Sequence, residues 1–316
     1  MSHHCSQEGC YIDITCSLGH HNRSECEFWS ETDNSDNSSK EGGVVHTSDI
    51  PWNGYALGIS DLTILGGRGH PLVIGLVGPP DSGKTSLLAY VYMWLLKYGQ
   101  LGEWQFAGSW TLGGWESVVQ HCRWSGEPPP SFPPHTSSSG RYPGVLHVTF
   151  RDPKDQLRDV LFTDAPGEWF TQWSKIPGDT TAAGARWVVE HADALLMLID
   201  SAALADSMKL PNARRAIRDL LDRLGAETSH IPLTVVWTKE DVKVPVKVIE
   251  VLGQAIADFV PYANALRTTV DKPETIAHCF ASTILAAQNS ELRAKITEPV
   301  LSNDPFLAFR GIHAEE

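Results

Sequence analysis

Apolar and polar positions divide the chain into two regimes. Residues 1–28 are rich in Cys and His and poor in large apolar side chains, and residues 29–50 are mostly polar, with SETDNSDNSSKEGG at 30–43. That composition cannot bury a core and reads as a linker. From Trp52 onward apolar positions are dense. The run Pro71-Leu-Val-Ile-Gly-Leu-Val77 predicts a buried strand, and Leu87, Leu88, Val91 and Leu95 recur at helical spacing behind it. Residues 99–143 are rich in Gly, Pro, Ser and Trp without a clean period and read as a long irregular insertion. Residues 145–150 and 159–163 predict a hairpin about Asp152-Pro153-Lys154-Asp155. Further on the pattern predicts helix over 180–191, strand over 194–199, and helix over 212–224 capped by Gly225. It then predicts strand over 231–237, helix over 246–259 behind Pro245, and a last strand over 276–281. Alternating strands and helices predict a three-layer α/β fold, its mixed, mostly parallel sheet covered on both faces. The expected division is a Cys/His module at 1–28, a linker at 29–50 and one large domain at 51–316.

Chemistry enters where the first strand ends. Gly78-Pro-Pro-Asp81-Ser82-Gly83-Lys84-Thr85 fits G-x-x-x-x-G-K-[ST] at every fixed position, between a predicted strand and a predicted helix. Glycines let backbone N–H groups face phosphate oxygens, and the helix N-terminus adds its positive end. Lys84 is then placed for the outer phosphates, Thr85 for magnesium and Ser86 for the inner phosphate. Three further boxes follow in order. Asp164-Ala-Pro-Gly167-Glu168 ends a strand, with Asp164 placed to hold the metal through water and the Gly167 N–H to meet a terminal phosphate. Thr238-Lys239-Glu240-Asp241 ends another. Its Asp241 carboxylate suits two guanine hydrogens and its Lys239 stem covers a base. Phe280-Ala281-Ser282-Thr283 is the expected third box, its backbone facing the guanine oxygen. A plain strand-turn-helix, a P-loop kinase, an ATPase and a scaffold that holds GTP without hydrolysing it are the rival readings.

In these motifs the segment from about Trp52 to Phe280 resembles a Ras-like P-loop GTPase of the TRAFAC class. More narrowly it is similar to bacterial GTPases of the double-GTPase type, anti-phage conflict-system components often encoded beside a second GTPase. Gly78–Ser86, Phe106–Leu112 (FAGSWTL), Leu161–Phe170 (LFTDAPGEWF) and the Cys-rich start carry the resemblance. It implies GTP and GDP as ligands, magnesium, hydrolysis of GTP, and a partner protein, either a second GTPase or an effector. It leaves room for a nucleotide-dependent dimer. It also implies a switch threonine between the first helix and the next strand. Thr136 takes that place, beside Thr85 and Asp164 at the metal, with Ser109 and Thr111 as competitors. Where such enzymes carry a water-positioning Gln this chain has Glu168, whose ionised carboxylate is repelled by phosphate. Glu168 is therefore either a base or a surface residue. Arg141 and Arg186 are arginine-finger candidates by location only.

Charge and cysteines narrow the partners. The chain has 316 residues and a formal net charge of −13, which argues against nucleic acid or an anionic membrane. No apolar run approaches membrane-span length and the start lacks a signal-peptide core, so a cytoplasmic location is expected. Disulfides are rare there, so Cys5, Cys10, Cys16 and Cys26 read as a structural zinc site, with His20 or His21 as a substitute ligand. Arg214, Arg215, Arg218 and Arg223, interleaved with Asp219 and Asp222, read as a solvated helix face. Purified protein should carry one zinc per chain, lost when residues 1–28 are deleted. Elemental analysis finding no zinc, nickel or iron would remove this site.

Overall fold

The apolar runs become the centre of one sheet. The computed structural model describes residues 2–5, 29–32, 56–58, 61–65, 69–123, 131, 143–176 and 178–290. The chain forms two units, Met1–Ser48 and Asp49–Glu316. In the first, β1 (Ser2–Cys5) pairs antiparallel with β2 (Trp29–Thr32), with His3 opposite Glu31. The opening residues of the stretch read as linker are therefore a strand. Cys10, Cys16, Cys26, His20 and His21 lie outside the described residues.

The second unit holds an eight-stranded sheet. Its strands are β3 (Leu72–Val77), β4 (Gln100–Leu101), β5 (Trp104–Gly108), β6 (Gly144–Arg151), β7 (Leu157–Asp164), β8 (Ala194–Asp200), β9 (Leu233–Thr238) and β10 (Asn264–Arg267). They lie in the order β10-β9-β8-β3-β7-β6-β5-β4. From β10 to β7 neighbours are parallel, and β6, β5 and β4 add antiparallel pairs. The helices are α1 (Leu62–Leu65), α2 (Lys84–Tyr98), α3 (Leu112–Val119), α4 (Gly167–Lys175), α5 (Ala183–His191), α6 (Ser201–Ala205), α7 (Leu210–Glu227), α8 (Val246–Phe259) and α9 (Pro273–Gln288). Side chains of α2, α3 and α9 cluster on one face of the sheet around Leu76, Phe150 and Phe162. Side chains of α4, α5, α7 and α8 cluster on the other around Val77, Met197 and Val235. Every residue of β3, β8 and β9 is buried, as expected of parallel strands covered on both faces. Among the described residues no helix is long and apolar enough to cross a membrane.

Three expectations are corrected. Residues 276–281 are not a strand but the middle of α9. Pro273 opens that helix, and its buried residues Ile276, Ala277, Phe280, Thr283, Ile284 and Ala287 repeat at three and four, the helical period. The last strand is instead β10, four residues long and mostly exposed. The insertion at 99–143 is not irregular throughout, since it contributes β4, β5 and α3. Gly225 does not cap its helix, because α7 runs on to Glu227 and ends at Thr228.

Gly225 has another use. A Cβ built there would lie 2.2 Å from the Phe259 carbonyl oxygen, so α7 and α8 can touch only because this position is bare. Gly253, inside α8, has nothing within 4 Å of the same construction. Opposite outcomes follow for one chemical change. Gly253→Ala should stabilise by about 0.5–1 kcal/mol, the ordinary helix gain. Gly225→Ala should instead destabilise by about 1–3 kcal/mol through forced separation of the helices. Urea unfolding of both variants checks the pair, and equal signs would contradict the packing.

Candidate functional site

A parallel sheet directs the C-terminal ends of its strands to one rim, and there the loops after β3, β7, β8, β9 and β10 enclose a cavity of about 900 Å³. Asp81, Ser82, Gly83, Lys84, Thr85 and Ser86 line it from the loop after β3. Gly83 takes φ 92° at the head of α2, and Asp81 takes φ 61°. The left-handed turn at Gly83 favours glycine and starts the helix in the cavity wall. Gly78 lies at the foot of the loop, where an added Cβ would meet Ser82 Oγ at 2.7 Å.

Lys84 is buried. Its Nζ donates to the carbonyls of Gly78 and Pro79, each at 3.0 Å. Burial dominates its chemistry and lowers its pKa to about 8, against the opposing pull of Asp164, Glu168 and Asp81. Beside it the Thr85 hydroxyl donates to Asp164 Oδ1 at 3.0 Å, a hydroxyl and a carboxylate held together as a hard cation requires. Gly167 approaches the phosphate loop so closely that a Cβ would lie 2.2 Å from Pro80 N. Glu168 follows on the cavity wall and is exposed.

The opposite wall is built by β9 and β10. Thr238 Oγ1 donates towards Ser82 O at 3.0 Å and Ile199 O at 3.1 Å. Lys239, at φ 56°, reaches Asp81 O at 3.2 Å and Asp200 Oδ2 at 2.9 Å, so its stem lies along the cavity. Asp241 Oδ1 accepts from Thr269 Oγ1 at 2.8 Å. Backbone bonds from Glu240 N to Thr268 O and from Thr268 N to Trp237 O fasten the two loops.

The first two sequence boxes and Thr238, Lys239 and Asp241 thus meet at one cavity. Ser282 and Thr283 do not reach it. Ser282 Oγ donates to His278 O and Cys279 O inside α9, and Thr283 Oγ1 to Cys279 O. The loop in their expected place is Thr268-Thr269-Val270, after β10. Thr136 and Arg141 lie outside the described residues. Ser109 and Thr111 bind the backbone of His147 in β6, at 2.6 and 2.8 Å. Arg186 donates to Asp179 O at 3.2 Å. Reasoning from sequence passed over Asp200, Asp206, Lys209, Thr268 and Thr269, all on the cavity wall. The available signal was Pro273, whose preference for helix starts places a loop just before it.

Residues 72–283 match the family model described as Double-GTPase 2. No curated protein matches the chain. Among solved structures, Roco2 RocCORdC of Methanosarcina barkeri bound to GDP is 14% identical with TM-score 0.38, over 70% of this chain and 50% of that one. Nucleolar GTP-binding protein 1 of Plasmodium falciparum is 10% identical with TM-score 0.42, over 71% and 89%. Era of Aquifex aeolicus bound to GDP.AlF4− is 18% identical with TM-score 0.36, over 67% and 56%. The chain thus spans only half the length of the first of these and little more than half of the third.

The depressed Lys84 gives a signed expectation. With pKa about 8 when the cavity holds no anion, the amine is part neutral at mildly alkaline pH. A phosphate beside it favours the ammonium, so binding draws in a proton once pH exceeds about 8. Nucleotide affinity should therefore be flat in this group's contribution below pH 7 and fall up to about tenfold per unit above pH 8. Calorimetry in buffers of differing ionisation enthalpy should show proton uptake approaching one at pH 9. Absence of uptake, or affinity rising with pH, would contradict the burial of Lys84.

Proposed function

Since the chain belongs to the Double-GTPase 2 family, we propose that it is a GTP-operated switch, binding GTP in this cavity with magnesium and hydrolysing it to GDP and phosphate. The observation that carries the reading is the meeting of two chemistries in one cavity. A glycine loop with a buried lysine faces one end of the cavity. A carboxylate held by a threonine hydroxyl faces the other.

At the base end, Thr269 uses its proton on Asp241 Oδ1 and so fixes the carboxylate plane. The remaining lone pairs of Asp241 accept the ring N–H and exocyclic amine of guanine. Adenine offers neither donor and would leave a carboxylate unpaired. At the phosphate end, Lys84 exchanges the carbonyls of Gly78 and Pro79 for phosphate oxygens. Thr85 and Asp164 are the residues that would hold magnesium, which neutralises charge on the outer phosphates when bound. Glu168 stands at the rim next to Gly167, placed to take a proton from the attacking water. The reading extends to a partner protein, a second GTPase or an effector of a bacterial defence system, answering to the nucleotide state. That extension rests on the resemblance in the boxes and on the family.

Base preference tests the whole reading. The native protein should bind GTP over ATP by about 10⁴-fold, the discrimination expected where a carboxylate covered by the bound base would lose its partners. Asp241→Asn brings a donor that clashes with the guanine amine and suits the carbonyl of xanthine, so preference should move from GTP to XTP with the phosphate contacts intact. Fluorescent-nucleotide competition measures all three. A native preference for ATP, or no gain for XTP in the variant, would sink the guanine assignment.

A further inference from the structure

The charge order along α7 is the reverse of what a lone helix favours. Its exposed arginines come first, Arg214, Arg215 and Arg218, and its acids come last, Asp219, Asp222 and Glu227, with only the half-buried Arg223 among them. The first turn of α7 holds no acid and the last no base. Cations near a helix N-terminus and anions near the C-terminus both oppose the macrodipole. The intrahelical pairs, Arg215–Asp219 and Arg223–Glu227, do not explain the order, since both set the arginine before its acid. Arg215 Nε stands 3.9 Å from Asp219 Oδ2 with an 82% exposed side chain, and arginine preceding its acid at i,i+4 is the weaker orientation. Arg218 leans on the Phe259 ring at 5.7 Å.

The positions give the explanation. Ile217, Leu220, Leu221 and Leu224 form the buried stripe. On the outward face lie Pro211, Arg215, Asp219, Asp222 and Ala226, spaced by threes and fours, with Arg218 on its flank beside Phe259. Reversed end for end about a point between Arg218 and Asp219, this stripe maps onto its own complement. Arg218 falls opposite Asp219, Arg215 opposite Asp222, and Pro211 opposite Ala226. We propose that α7 is a self-association surface, pairing antiparallel with α7 of a second copy of this chain about a twofold axis through that point. A twofold interface must be complementary to itself, and this face is. Every charged pair then occurs twice, and each helix N-terminus with its arginines meets the other's acidic C-terminal half. An 18-residue helix is about 27 Å long, so the contact is small and the dimer weak and salt-sensitive. The proposal is independent of which nucleotide the cavity holds.

Sedimentation equilibrium of the full chain, with unfolding melts as a check, tests it. The native protein should dimerise at low salt, with the dissociation constant rising about tenfold or more in 0.5 M NaCl. Arg215→Asp with Arg218→Asp should give a monomer, and Asp219→Arg with Asp222→Arg another. Mixing those two should restore a one-to-one dimer. The chain bearing all four changes should dimerise alone, its unfolding melt showing that it is folded. A native monomer at the highest concentration in low salt, or failure of both the mixture and the fourfold variant to pair, would overturn the proposal.

Discussion

One hydroxyl proton holds the site together. Thr238 Oγ1 lies within reach of Ser82 O, in the phosphate loop, and Ile199 O, near the end of β8. The ends of β8 and β9 and the loop after β3 are thereby drawn to a single atom. A buried hydrogen bond of this kind contributes only about 0.5–1.5 kcal/mol, but leaving two carbonyls dry and unpaired costs more. Its effect is geometric. With Ser82 fixed, Asp81 can offer its carbonyl to Lys239, and Lys239 in turn reaches Asp200. The β9 wall of the cavity and the loop after β3 are thus one bonded assembly.

How much of this was legible depended on the length scale of the signal. The loop at 78–85 and Thr238–Asp241 could be read because their chemistry is set by side-chain type at fixed short spacing. The strands behind them could be read because they are buried on both faces and therefore uniformly apolar. β10 could not, since only its inner edge is paired and its residues are mostly exposed, which leaves Asn264-Ala-Leu-Arg267 without a strand pattern. The apolar run in α9 was ambiguous over six residues and resolved only over sixteen. β4 and β5, of two and five residues, are shorter than any window in which a period can show. Thr269 was hidden for the same reason as β10, because its role depends on where that strand ends.

The segment after Asp164 is held more tightly than its position in a loop suggests. Trp169, Phe170 and Trp173 of α4 are all buried. The Phe170 ring lies 5.9 Å from Lys84 Nζ, and the Trp173 ring lies 5.4 Å from the Arg223 guanidinium on α7. A packed helix therefore joins the phosphate loop to the outer helical layer. A displacement at Gly167 would have to be carried by that helix as a body, because close-packed aromatic side chains do not yield one at a time.

The added strands also bear on what the molecule avoids. Without the insertion, β6 would end the sheet with eight residues of extended backbone, its outer edge closed only where Leu57 and Val145 exchange backbone bonds. β5 covers the Thr149–Arg151 end of that edge and bends at an irregularity between Phe106 and Gly108, and β4 adds two residues beyond it. The far edge is the four-residue β10. Among the described residues neither margin of this sheet is long or flat enough to template a foreign strand, which is how sheet proteins keep from aggregating in a crowded solution. The eight-stranded sheet thus stays a private scaffold, and contact with neighbours is left to the helices and loops around it.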